Sequence, residues 1–107
     1  MLMIFQKIIN REVPSDIVYE DDYLIAFKDV NPKAKVHVLI VPKDSSIQNL
    51  NDINKGNIYY IEKIFLAVPS IAASLGLTDY KLLTNCGRGA GQEIFHLHFH
   101  LMGGGPC

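Results

Sequence analysis

The stretch EIFHLHFHLM, residues 93–102, carries histidines at 96, 98 and 100 in a chain whose only other histidine is His37. Side chains along a β-strand alternate between its faces. A strand here puts Ile94, His96, His98, His100 and Met102 on one face and Phe95, Leu97, Phe99 and Leu101 on the other. The second set is uniformly apolar and suits a core face. A helix would instead spread the same histidines over about 200° of its surface, with Phe and Leu among them. The strand reading therefore gathers three imidazoles on the face the core does not need, about 7 Å apart in succession.

The remaining punctuation builds a sheet around this strand. Residues 3–12, MIFQKIINRE, place Ile4 and Ile8, Phe5 and Ile9 at helical spacing, and Val13-Pro14 closes the pattern because a residue before proline avoids the helical region. Three β-rich runs follow, Ile17–Glu20, Tyr23–Lys28 and Val36–Val41, separated by the turn-like pairs Asp21-Asp22 and Asn31-Pro32. From Asn51 to Leu75 the apolar set Ile58, Ile61, Ile64, Phe65, Val68, Ile71, Ala72 and Leu75 has helical periodicity, and Gly76 stops it. Pro69 inside that helix predicts a kink or a break. Tyr59, Tyr60, Leu66 and Ala67 add apolar surface beyond one stripe, which fits either a well-buried helix or the interface of a homodimer. YKLLTNC, residues 80–86, reads as another strand, joined to the histidine strand by the glycine-rich GRGAGQ. The expectation is a single α+β domain over residues 1–107: about five antiparallel strands, one long helix and a short N-terminal helix.

Composition narrows the function classes. A net charge of −1, with 49% hydrophobic and 20% charged residues, gives no electrostatic reason to expect nucleic acid or a membrane as partner, although a single nucleotide fits. The apolar start is too short for a signal segment and no stretch approaches a membrane span, so a cytoplasmic location is expected. In that compartment Cys86 and Cys107 stay reduced, and neither has a metal-binding spacing.

Three readings of the histidines compete. They are partly exposed residues that happen to alternate, or ligands of a catalytic metal, or a covalent catalyst. His-x-His on a strand is a sound two-ligand spacing, but Glu93 is the nearest carboxylate to complete the set. In covalent catalysis one imidazole attacks phosphorus while its neighbours fix its tautomer and donate to the phosphoryl oxygens. GRGAGQ, entering the strand directly, can offer backbone N–H groups to the same anion.

These residues resemble the histidine triad (HIT) family, whose signature is His-x-His-x-His followed by apolar residues. The resemblance extends over GQEIFHLHFHLMGG (91–104), FKDVNPKAKVHVLIVPK (27–43) and IFQKIINREVPSDIVYEDD (4–22), nearly the whole chain in order, and is nearest to the Hint branch. In the rival Fhit branch, which cleaves dinucleoside polyphosphates, the triad runs on into Leu-Pro-Arg, whereas Met102-Gly103-Gly104 follows here. The resemblance implies a purine nucleoside phosphoramidase that binds an AMP- or GMP-like ligand as a homodimer, without cofactor or metal. It implies His98 as nucleophile, His100 as donor to the phosphate, and His96 and His37 as supports. Asp29 would bind the ribose hydroxyls; Ile4, Phe5, Ile8 and Phe27 would enclose the base; Asn85, Gly91 and Gln92 would lie on the phosphate side. Glu93 stands near the leaving group, where many relatives have Ser or Thr, and the chain ends at Cys107 without their longer tail. Broad leaving-group selectivity is the resulting expectation. The alternatives are a Fhit-type hydrolase and a nucleotide-binding module that regulates or scaffolds with little turnover.

Overall fold

The computed structural model describes residues 4–105. Cys107, and with it any pairing to Cys86, lies outside the described residues, as does Met3 at the start of the expected first helix. The elements are α1 (Ile4–Ile9), β1 (Ile17–Glu20), β2 (Leu24–Lys28), β3 (Val36–Pro42), α2 (Tyr59–Ser74), β4 (Tyr80–Leu83) and β5 (Phe99–Gly103). Single 3-10 turns at Leu50–Asp52 and Arg88–Ala90 interrupt the connections. The strands form one antiparallel sheet in the order β1-β2-β3-β5-β4, so the fold expected from the sequence is the fold observed.

The sheet is covered on both faces. Leu24, Ala26, Val38, Ile40, Phe99 and Leu101 pack against Ile64, Val68, Ile71 and Ala72 of α2. Ile25, Phe27, Leu39 and Val41 point the other way and meet Phe5 and Ile8 of α1. Because β2 and β3 serve both layers, they read as continuous apolar runs. α1 is short and covers only part of its face, and the uncovered part is where His100 of β5 and His98 just before it lie.

Several boundaries differ from those expected. α1 stops at Ile9 because Arg11 takes a left-handed φ of 62°. Glu12 N–H then reaches the Lys7 carbonyl at 2.8 Å and Arg11 N–H the Ile8 carbonyl at 3.1 Å, a helix ending usually built on glycine. α2 begins eight residues later than the periodicity suggested, at Tyr59. Ahead of it, Asn54 Oδ1 accepts from Gly56 N–H at 2.8 Å and Asn57 Oδ1 from Asn54 N–H at 2.7 Å. Asparagine side chains compete with the helix for backbone donors there. Pro69 does not break α2, which runs unbroken to Ser74. Pro69 and Phe65 both lie on the exposed side, so the carbonyl that loses its partner is not sealed in the core while Val68 and Ile71 hold the helix to the sheet.

The largest difference concerns the histidine strand itself. Pairing starts at Phe99, not at Glu93. Residues 93–98 arch over the end of the sheet, where Leu97 N–H donates to the Ile47 carbonyl at 2.8 Å instead of to a neighbouring strand. β4 likewise ends at Leu83, and Thr84 Oγ1 donates to the His98 carbonyl at 2.6 Å.

Candidate active site

Antiparallel register places the chemistry. His37 on β3 lies opposite Met102 of β5, and Leu39 opposite His100. Two hydrogen-bond chains then fix the state of each ring. The backbone N–H of Lys33 donates to His37 Nδ1 at 2.9 Å, so the hydrogen of a neutral His37 ring is on Nε2. That atom is 2.9 Å from His100 Nδ1 and 3.3 Å from Asp29 Oδ2. His100 Nδ1 therefore accepts, and the His100 hydrogen sits on Nε2, a buried atom with no partner among the described residues. His98 is fixed in the opposite sense. Its Nδ1 is 2.7 Å from the His96 carbonyl, which can only accept, so Nδ1 carries the hydrogen and Nε2 the lone pair. The two rings lie 5.1 Å apart. One offers a lone pair, the other an N–H.

His96 plays another part. It is fully buried, its Nε2 donates to the Pro42 carbonyl at 2.6 Å, and it does not line the cleft. Its backbone carbonyl, not its ring, touches His98. His96 keeps to the side of His98, its ring 5.8 Å from Phe5, but it is sealed beneath that side chain and its neighbours and so is not open to the cleft.

Burial lowers the pKa of all four histidines, since a charged imidazole loses its hydration. For His100, with His98 and His37 adding their repulsion, the value falls to about 4. The Asp29 carboxylate opposes the shift at His37, His98 and His100 without reversing it. Neutral rings are the state in which the lone pair of His98 is available.

The rings form the floor of a cleft of about 740 Å³, a size suited to a small organic ligand. Ile4, Phe5, Ile8, Phe27 and Leu39 make an apolar wall, with Phe5 edge-on to Phe27 at 5.5 Å and to His98 at 5.0 Å. Asp29, Asn85, Gly91 and Glu93 add polar groups. Asp29 is held by Asn31 N–H at 2.9 Å on Oδ1, which orients the carboxylate. Gly91 adopts φ 93°, ψ 11°, a conformation that favours glycine. Eleven of the thirteen residues singled out in the sequence thus line one cleft; His96 and Gln92 do not.

Gln92 is buried under the glycine loop and works as a clamp. Its Oε1 accepts from Gly87 N–H at 2.9 Å and Asn49 Nδ2 at 3.2 Å, and its Nε2 donates to the carbonyls of Gln48 at 2.7 Å and Ile94 at 3.0 Å. Sequence reasoning missed Lys28, Lys33 and Lys81, which also line the cleft. Lys81 could have been found from strand alternation, since it shares a face with Leu83. The role of Lys33 is carried by its backbone amide, for which no side-chain signal exists.

Asp29, His37 and His100 bring three potential metal-ligand atoms within 4.8 Å of one another. The hydrogen-bond chain works against a cation there. A metal on His37 Nε2 must displace the hydrogen from that atom while the Lys33 N–H still faces Nδ1, leaving the ring without a site for its proton.

A family model described as "Scavenger mRNA decapping enzyme C-term binding" matches residues 3–105. The chain is 42% identical over 105 residues to the purine nucleoside phosphoramidase of Escherichia coli K12, covering 96% of this chain and 87% of that one. Its fold superposes on a HIT family hydrolase from Clostridium thermocellum with a TM-score of 0.92 at 50% identity, covering 97% of this chain and 94% of the other. A histidine triad protein from Clostridium difficile gives a TM-score of 0.91 at 38% identity, over 100% and 96% of the two chains. The chain belongs to the HIT family.

Proposed function

We propose that this protein hydrolyses purine nucleoside 5′-phosphoramidates through a nucleotidyl-histidine at His98. The observation that carries the reading is the pair of opposed tautomers on the cleft floor, a lone pair on His98 Nε2 beside an N–H on His100 Nε2. The activity printed for the Escherichia coli relative supports the same chemistry. In the first step the His98 lone pair forms a bond to phosphorus, the P–N bond breaks, and its electron pair leaves with the amine, which takes a proton from solvent. The His98 ring becomes cationic, and its Nδ1–H bond to the His96 carbonyl stabilises that charge. His100 Nε2–H donates to a phosphoryl oxygen, where negative charge gathers. Water then attacks phosphorus and gives up a proton to solvent, the P–Nε2 bond breaks with its pair returning to nitrogen, and the nucleoside 5′-monophosphate is released.

Asp29 binds the ribose hydroxyls with the acceptor sites that Asn31 leaves open, and the Phe5–Phe27 wall stacks on the purine. Asn85 and Gly91 border the phosphate. Residues 1–107 act as one domain in the cytoplasm, and the molecule works as a homodimer through α2 and the edge strand β4. Leu66 and Phe65 on the outer face of α2 are 72% and 53% exposed and give a second copy an apolar surface to pack on.

The test is release of amine from adenosine 5′-phosphoramidate in the presence of EDTA. Wild type turns over, while His98→Ala loses activity by roughly 10⁴-fold or more and still binds a nucleoside monophosphate. An inactive wild type that binds the nucleotide points to a binding module, and a His98→Ala variant that keeps its rate removes His98 as nucleophile.

A further inference from the structure

The cleft is electrostatically polarised. Lys28 and Lys33 bracket the turn that carries Asp29, and Lys81 lies in the row of side chains crossing the sheet through Met102 and His37, so all three cations enter at one end. At the other end, toward His98, the ionisable side chain lining the cleft besides histidine is Glu93. It is exposed and forms no ion pair among the described residues. Its backbone is nonetheless well anchored. Gln92 on one side is clamped by the hydrogen bonds described above, and Ile94 on the other packs on the apolar cluster of α1. A carboxylate without a cationic partner is thus held on a fixed support at the nucleophile's end of the cleft.

In-line attack by His98 Nε2 expels the amine from the opposite side of phosphorus, away from the floor and toward the open mouth. The charge that the departing group meets at this end is that of Glu93. We propose that Glu93 selects leaving amines bearing a second positive charge, so that the preferred substrates are nucleoside 5′-phosphoramidates of diamines joined through one nitrogen. This deepens the phosphoramidase reading and rests on it. It replaces the broad leaving-group selectivity expected from the sequence with a preference set by charge: a cation is drawn to the carboxylate, and an anionic amine is repelled.

The experiment compares two adenosine 5′-phosphoramidates, one of butylamine and one of 1,4-diaminobutane joined through a single nitrogen, by following formation of the 5′-monophosphate. Wild type is expected to favour the cationic substrate about fivefold in kcat/KM at low salt, as one partly exposed charge pair allows. The preference shrinks at high ionic strength. Glu93→Gln brings the ratio close to one and Glu93→Lys inverts it; a general loss of activity in either variant cancels in the ratio. A wild-type ratio near one, or a ratio that Glu93→Gln leaves unchanged, overturns the role of Glu93 while the hydrolase reading stands. Failure of wild type to release monophosphate from either compound overturns the phosphoramidase reading, and this inference with it.

Discussion

His37 never needs to touch phosphorus to matter. It passes the direction of a backbone N–H, that of Lys33, through two rings to the hydrogen on His100 Nε2. His37→Ala removes that constraint and frees His100 to take the other tautomer, so kcat should fall by about 10- to 100-fold with a smaller change in KM, as steady-state kinetics will show. Asp29 carries a different signature. Its carboxylate raises the pKa of His98 and His100 against the effect of burial. Asp29→Asn should therefore move the acid limb of the kcat/KM profile to lower pH while raising KM for the ribose-bearing substrate. An acid limb that stays in place or moves upward would show that Asp29 does not act on these rings. For the wild type, protonation of a ring blocks attack, so activity falls as pH falls, and the limb lies below the ordinary histidine value near 6.5.

At the scale of elements, Gln92 and Pro69 are informative because each sits where its local role outweighs the simple pattern. Gln92→Ala removes four hydrogen bonds that tie the glycine loop to the segment around Gln48 and Asn49. The loss leaves buried backbone groups unsatisfied and should cost about 2 kcal/mol in urea unfolding, with a fall in activity as the loop loosens around Gly91 and Glu93. Pro69 withholds the donor that would serve the Phe65 carbonyl. Pro69→Ala restores it and should stabilise the protein, by up to about 3 kcal/mol, if α2 keeps its course. Lower stability in that variant would mean that the proline ring itself is packed, against a partner subunit or another surface. The arch at 93–98 teaches a related lesson. Alternation in EIFHLHFHLM is consistent with a strand throughout, but the Ile47 carbonyl in the loop after β3 takes the Leu97 amide and the Pro42 carbonyl at the end of β3 takes the His96 ring, and the first half leaves the ladder.

For the whole molecule, burial of four histidines with lowered pKa links stability to pH. Each binds a proton more readily when unfolded than when folded. The unfolded state therefore gains as pH falls below about 6.5, and for His100 the loss of stability continues to about pH 4. Thermal unfolding midpoints should drop steadily over that range and change little from these groups above neutrality. The exposed face of α2 makes a separate prediction: Leu66→Glu should convert a dimer to a monomer in sedimentation, because a carboxylate at its centre cannot be buried without a partner. A monomeric wild type would remove the dimer from the proposal.

The fold was legible in the chain because periodicity and turn chemistry are local properties. Period two in EIFHLHFHLM, the continuous apolar run VHVLIV, helical spacing from Ile58 to Leu75, and punctuation by Pro, Asn and Gly specify the elements and the layers they serve. The cleft was legible as a list of side chains, most of them recognised through a family motif. Tertiary structure alone decided what those side chains can do. The tautomers of His98 and His100 depend on the carbonyl of His96 and the amide of Lys33, and every residue has such groups, so the sequence carries no mark of the ones that will be used. The same holds for Gln92, a clamp and not a cleft residue, and for Glu93, whose charge stands alone only because the three lysines enter from the opposite end. Hydrogen-bond direction and the distribution of charge around a cavity depend on how distant segments meet, and that is set when the chain folds.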